Sequence, residues 1–295
     1  MPILHEFEYF KPKNMAEALR LLAKFKKPAI LAGGTDIIGN IKEEVDKPDA
    51  LIDIKGLTAL RKIRLEDGGL QIGSLVTFSE IIKSAIINKR FPVMVEVAKT
   101  VGSVGIRNRA TMVGNICSAV PCIDSGPLLI AYDAMVTTRG VKGERKIPIT
   151  NWFCGPRKTA LKKGEIATGI SIPIPKHNHS GCFVKLGRYS GEDLAQASVL
   201  VLAFADKTYR VAFGSVAPVP IRGEIIEDMF EGEMLDDNLI DQATALVSEI
   251  ISPITDIRAT KEYRMHMCKV MLERAIIAAR GRLAGKGPEY GTSVM

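Results

Sequence analysis

The residues of this chain best suited to chemistry begin at position 32. Ala32-Gly33-Gly34-Thr35-Asp36 directly follows the apolar run Ala29-Ile30-Leu31. Two adjacent glycines after a strand expose consecutive backbone N–H groups that can cradle a phosphate. Thr35 adds a hydroxyl donor, and Asp36 can orient the loop or accept from a sugar hydroxyl. The same pattern also describes an ordinary glycine turn. It is not the GxGxxG dinucleotide fingerprint, because the glycines are adjacent and no third one stands at the required offset, and GxxxxGK[ST] is absent.

A second cluster, Thr111-Met112-Val113-Gly114-Asn115-Ile116, is followed by Asp124. A Gly-Asn pair behind a hydroxyl residue again offers backbone and side-chain donors, and an ionised carboxylate offers only acceptors, which suits ribose hydroxyls. Two phosphate-friendly segments far apart in sequence say more than either alone, since a dinucleotide has two ends to hold.

Other chemistries find little support. The five cysteines, Cys117, Cys122, Cys154, Cys182 and Cys268, form no CxxC pair, which argues against a zinc ribbon and against a disulfide framework. Cys117 and Cys122 read as small buried hydrophobes. The four histidines lie in terminal, linker or helical segments and suggest no metal set. The net charge of +7 is spread among acidic residues without a recognition element, so nucleic-acid binding is not expected. A basic surface equally suits an anionic dinucleotide or an acidic partner. Residues 1–14 lack the apolar core of an export signal, and no run approaches eighteen apolar residues. A cytoplasmic protein without membrane segments is therefore expected.

The elements that must position these residues follow from periodicity. Residues 14–25 form a helical pattern with Asn14 as cap and Pro28 beyond it. Residues 29–34 read as a buried strand ending in a tight loop, and 70–81 as a strand running into a helix capped by Thr77 or Ser79. Residues 91–102 are helical. The glycine-rich stretch 103–140, poor in long polar side chains, reads as buried irregular backbone or a ligand lining. Strand character resumes from Asp133 to Gly169, with Trp152 as an anchor. Residues 171–182, with two prolines and an Asn-His-Ser-Gly cluster, form the best domain boundary. Beyond it, 183–223 suggest antiparallel strands with helix or strand between them, and 235–284 are mainly helical, an α+β unit with helices on one face.

Taken together, AGGTD at 32–36, VGSVGIRNRATMVGNI at 101–116 with Asp124, Lys185 followed by EDLAQAS at 192–198, and DIRATKEYRMH at 256–266 resemble the FAD-binding medium subunit of the molybdenum hydroxylase family. The resemblance spans nearly the whole chain. It implies an α+β protein: a vanillyl-alcohol-oxidase-type FAD-binding domain over 1–175, with a small α/β lobe at about 1–55 and a larger one at about 56–175. A C-terminal α+β domain of antiparallel strands and helices over 176–285 and a tail over 286–295 would follow. It further implies that residues 32–36 wrap the FAD pyrophosphate, that Thr111, Gly114 and Asn115 continue that cradle, and that Asp124 grips the adenosine ribose. Lys185 would lie near the isoalloxazine, with Ile172 or Ile174 abutting the ring.

The function implied is electron transfer within a larger enzyme. A partner large subunit would hold molybdopterin and a small subunit two 2Fe-2S clusters, and electrons would pass through FAD to NAD+ or another acceptor, in a dimer of heterotrimers. The chain departs from the family in one visible way: the usual TxGGN is TMVGN, so Val113 replaces a glycine and is expected to alter backbone dihedrals or the room beside the diphosphate. The cysteine-rich insertion that holds a 4Fe-4S cluster in benzoyl-CoA-type relatives is missing. Arg107 and Arg109 are candidates either for cofactor phosphates or for a structural ion pair. Two competing readings remain: a stand-alone FAD oxidoreductase, for which no placed catalytic base stands out, and a flavin-free assembly protein of the same fold, which Val113 alone would favour.

Overall fold

The computed structural model describes residues 3–189 and 192–295. The N-terminal strands β1 (Glu8–Phe10), β2 (Pro28–Leu31) and β3 (Ala50–Asp53) form a parallel sheet in the order β1-β3-β2. Between them run helices α1 (Met15–Lys24) and α2 (Ile37–Lys42). The Asn14 side chain accepts from the Glu17 N–H at 2.9 Å and opens α1, whose Ala18, Leu19 and Leu22 pack into the lobe's small core.

The larger lobe is an antiparallel sheet in the order β4-β5-β10-β6-β7, built from β4 (Ile63–Glu66), β5 (Gly69–Gly73), β6 (Met135–Gly140), β7 (Gly143–Pro148) and β10 (Ile166–Pro173). The short hairpin β8 (Phe153–Gly155) and β9 (Lys158–Thr159) stands apart. Helices α3 (Phe78–Lys83), α4 (Ala85–Arg90), α5 (Pro92–Lys99), α6 (Val104–Arg107), α7 (Met112–Ser118) and α8 (Ser125–Ala131) complete the lobe. Thr77 and Glu80 form a reciprocal capping box at the start of α3. Trp152 is fully buried and donates from its indole nitrogen to the Ile116 carbonyl at 2.9 Å.

The glycine-rich stretch 103–140 differs from its expected irregularity: it holds three short helices, α6 to α8, and then β6. Each helix is one to two turns long, too short for a hydrophobic period to show. Ser103 and Thr111 cap the first two through their hydroxyls.

The C-terminal sheet β11 (His179–Leu186), β12 (Ala197–Phe204), β13 (Tyr209–Gly214) and β14 (Ile221–Arg222) is antiparallel in sequence order. Helices α9 (Glu224–Phe230), α10 (Asp237–Ile250) and α11 (Lys261–Leu283) follow it. The run Ser198-Val-Leu-Val-Leu-Ala203 is buried throughout, and the alternation explains why. Val199, Val201 and Ala203 face the core shared with α10 and α11, whereas Leu200 and Leu202 join the core of the FAD-binding lobe. The sheet thus carries its own helices on one face and is covered by α5 and α8 on the other. The stretch 187–196, which links β11 to β12, includes Ser190 and Gly191, outside the described residues. Among the described residues no helix is long and apolar enough to cross a membrane.

Candidate cofactor-binding site

A cavity of about 590 Å³ opens where the two lobes and the C-terminal sheet meet. That is within the range of small-molecule and cofactor sites. Its wall includes the loop 32–36, the segment around Thr111 to Asn115, and Asp124 with Lys185.

The first motif leaves β2 and enters α2. The amides of Gly33, Gly34, Thr35 and Asp36 find no backbone acceptor among the described residues, and the Asp36 side chain does not cap α2. Free, consecutive N–H groups at such a junction are suited to an anion. Gly34 has a φ of +85°, which favours glycine. Gly33 serves a different need: a Cβ there would overlap the Arg109 carbonyl oxygen, so only glycine lets this loop lie against the second motif.

The second motif is held from behind. The Phe78 N–H donates to the Ala110 carbonyl at 3.0 Å, and Thr77 bridges to Thr111. Thr111 Oγ1 accepts from the Gly114 N–H at 3.0 Å, so Thr111, Gly114 and Asn115 form the opening turn of α7 and not a loop. Asn115 Oδ1 accepts from the Ser125 N–H at 3.3 Å, which ties α7 to α8 and places Asp124. Val113 sits inside α7 at a negative φ and is 2% exposed, so its side chain demands no unusual backbone. The expected change in dihedrals does not occur.

Lys185 Nζ, from β11, donates to Asp124 Oδ2 at 2.8 Å and to the Thr100 carbonyl at 2.9 Å. The other carboxylate oxygen, Asp124 Oδ1, is buried without a partner among the described residues. Burial pushes the Asp124 carboxyl up to about 6, against the opposing pull of the Lys185 ammonium. Asp124 and Lys185 thus meet at one point of the cavity wall.

Ile172 lies away from the cavity wall. It is fully buried in the lobe core, paired with Leu70 across β10 and β5, and neither it nor Ile174 lines the cavity. The apolar wall is supplied instead by Ile54, Leu161, Ile166 and Ala167, with Val101 and Leu194 elsewhere. Sequence reasoning missed these because apolar residues at strand ends carry no local signal of facing a void. Arg107 fits neither proposed role: it donates to the carbonyls of Val101 and Gly102. Arg109 is exposed and makes no ion pair or side-chain hydrogen bond among the described residues. Cys117 and Cys122 both line the cavity; burial pushes the Cys117 thiol to about 12 and raises that of Cys122, so both stay protonated near neutral pH.

The arrangement fits FAD. Unpaired amides meet the needs of a pyrophosphate, the orphaned Asp124 oxygen those of a sugar hydroxyl, and the isoleucines and Ala167 those of a flat apolar ring. Comparison with known proteins agrees. A family model described as the FAD binding domain in molybdopterin dehydrogenase matches residues 5–175, and one described as the CO dehydrogenase flavoprotein C-terminal domain matches 190–279. The chain is 31% identical over 284 residues to the xanthine dehydrogenase FAD-binding subunit of Escherichia coli O157:H7, covering 94% of this chain and 97% of the relative. It is 30% identical over 282 residues to the medium chain of carbon monoxide dehydrogenase from Hydrogenophaga pseudoflava, covering 94% and 98%. A solved structure of the Hydrogenophaga pseudoflava enzyme matches with a TM-score of 0.91 at 31% identity, over 96% of this chain and 99% of that one. The chain therefore belongs to the FAD-binding medium subunits of the molybdopterin-dependent dehydrogenases, as a flavoprotein subunit of that oxidoreductase family.

Proposed function

We propose that this subunit carries electrons between the 2Fe-2S clusters of a small partner subunit and NAD+ or another acceptor, while a large molybdopterin subunit acts on the organic substrate. The observation that carries the reading is a cavity with free glycine amides and a buried, half-paired carboxylate in its wall. The amides of Gly33, Gly34, Thr35 and Asp36 would hold the pyrophosphate, with Ala32 at the loop's entry. Thr111, Gly114 and Asn115 would hold the adjoining wall, and Asp124, steadied by Lys185, would accept from the adenosine ribose. Bound FAD supplies the conversion between single-electron carriers and a two-electron acceptor. The protein's own part is to bind it, exclude water from its apolar face and leave one edge open to partners.

Similarity to relatives named for xanthine and for carbon monoxide is almost equal, at 31% and 30% identity, so sequence likeness does not distinguish those two substrates. Adding the substrate of the molybdenum subunit to the purified complex tests the proposal. The flavin should bleach after the clusters are reduced and recover on addition of NAD+ or a competing acceptor. Clusters that reduce while the flavin stays oxidised would refute the electron-transfer role. We further infer a cytoplasmic dimer of heterotrimers, to be checked by the mass of the purified complex.

A further inference from the structure

Asp124 is not the only polar group in the cavity wall left without a partner. Ser74 lies just after β5, is 2% exposed and lines the cavity, and its Oγ makes no hydrogen bond among the described residues. Its N–H donates to the Thr168 carbonyl at 3.0 Å, which holds the residue beside Ala167. The neighbouring Leu75 packs with Ile54 and Ile166. Ser74 thus presents a hydroxyl in the apolar stretch of wall formed by Ile54, Ile166 and Ala167. The other orphaned hydroxyls, those of Ser125, Thr138, Ser198 and Ser215, do not line the cavity.

A buried hydroxyl without a partner is unfavourable and persists where a ligand completes it. The phosphates and riboses of FAD are charged or rich in hydroxyls and match the glycine loop and Asp124. The isoalloxazine instead has apolar faces and carbonyl oxygens along one edge, which matches an apolar wall carrying one placed donor. We propose that Ser74 Oγ donates a hydrogen bond to a carbonyl oxygen on the polar edge of the flavin ring. Ser74 is then a positioning residue that orients the ring and, by stabilising the charge gained on reduction, raises its potential. This inference rests on reading the cavity as the flavin site.

The test compares Ser74→Ala and Ser74→Cys with wild type, in the full chain within its purified complex, before and after flavin removal and FAD rebinding. For Ser74→Ala, FAD should bind about fivefold to tenfold more weakly, the loss expected for one hydrogen bond. The flavin carbonyl band should shift and the midpoint potential fall. Ser74→Cys, a weaker donor of similar size, should lie between. Flavin-free Ser74→Ala should melt at or above the wild-type temperature, since an unsatisfied hydroxyl is removed. Unchanged affinity, band and potential would overturn the proposal, as would weaker binding with an unmoved band and potential. Equal destabilisation of flavin-free and flavin-loaded protein would also overturn it, because the hydroxyl would then serve an internal contact. Gly33→Ala separates the two layers: if FAD binding survives Gly33→Ala and Ser74→Ala alike, the cavity reading itself has failed.

Discussion

Lys185 and Asp124, 61 positions apart and on either side of the domain junction, form an ion pair of 2.8 Å in which both side chains are at least nine-tenths buried. One carboxylate oxygen is committed to the lysine and the other has no partner among the described residues. The C-terminal sheet therefore helps to complete a site that the motifs of the first domain begin.

Replacing Lys185 by Met should show this through pH. Asp124 titrates near 6 in the folded chain against an ordinary value of 3.8, so its proton stabilises the fold below about pH 4, and that contribution is lost as pH rises through 6. Without the lysine the folded value climbs further. The substitution should cost about 3 kcal/mol at pH 7.5 and much less below pH 6, where Asp124 is neutral. Denaturant melts across pH 5–8 give the difference, and a cost that does not change with pH would contradict the coupling.

Flavin retention should follow the same group. An ionised Asp124 Oδ1 accepts from a ribose hydroxyl, and protonation weakens that acceptor. FAD affinity should fall as pH drops through about 6 in wild type. Asp124→Asn should bind about tenfold or more weakly at pH 7.5, with little dependence on pH. Equilibrium titration with FAD reads both.

Two glycines, Gly33 two residues beyond β2 and Gly39 inside α2, should respond in opposite directions. Gly33→Ala drives a methyl into the Arg109 carbonyl, separates the two motifs, and should abolish measurable FAD binding at a stability cost of about 1–3 kcal/mol. Gly39→Ala, inside α2 with open space around its Cβ, should stabilise the chain by about 0.5–1 kcal/mol and leave FAD binding intact. Flavin content and thermal melts distinguish them.

The second link across the domains lies behind the site. Arg282 forms a two-pronged pair with Glu96, at 2.9 and 3.1 Å, and Glu96 also accepts from the N–H groups of Phe183 and Gly291. Both side chains are buried. Arg282→Met should cost about 3–5 kcal/mol by stranding the carboxylate, and should speed hydrogen exchange at Gly291. An unchanged melt would show that the pair contributes nothing to docking.

Sequence alone carried the local signals well. The Asn14 cap, a cap at Thr77 or Ser79, of which Thr77 is the one formed, and the two glycine motifs could be read because each depends on residues within a few positions of one another. What escaped was set by tertiary contacts. The helices α6 to α8 are too short to show a period, and Lys185 meets Asp124 only because the C-terminal sheet packs on the first domain, β11 against α5 and its neighbours β12 and β13 against α8. The need for glycine at position 33 comes from a carbonyl 76 residues away. The resemblance put Ile172 or Ile174 beside the ring, whereas Ile172 is fully buried in the lobe core, and Ile166 and Ala167 near the start of the same strand line the cavity.

The most direct test of the account is to release and identify the flavin from the purified complex, with its amount measured against this subunit. One FAD per copy of the chain is predicted, lost when Gly33 becomes alanine. A complex that holds molybdenum and iron but no flavin, or a flavin retained unchanged by the Gly33→Ala chain, would contradict the assignment of this cavity.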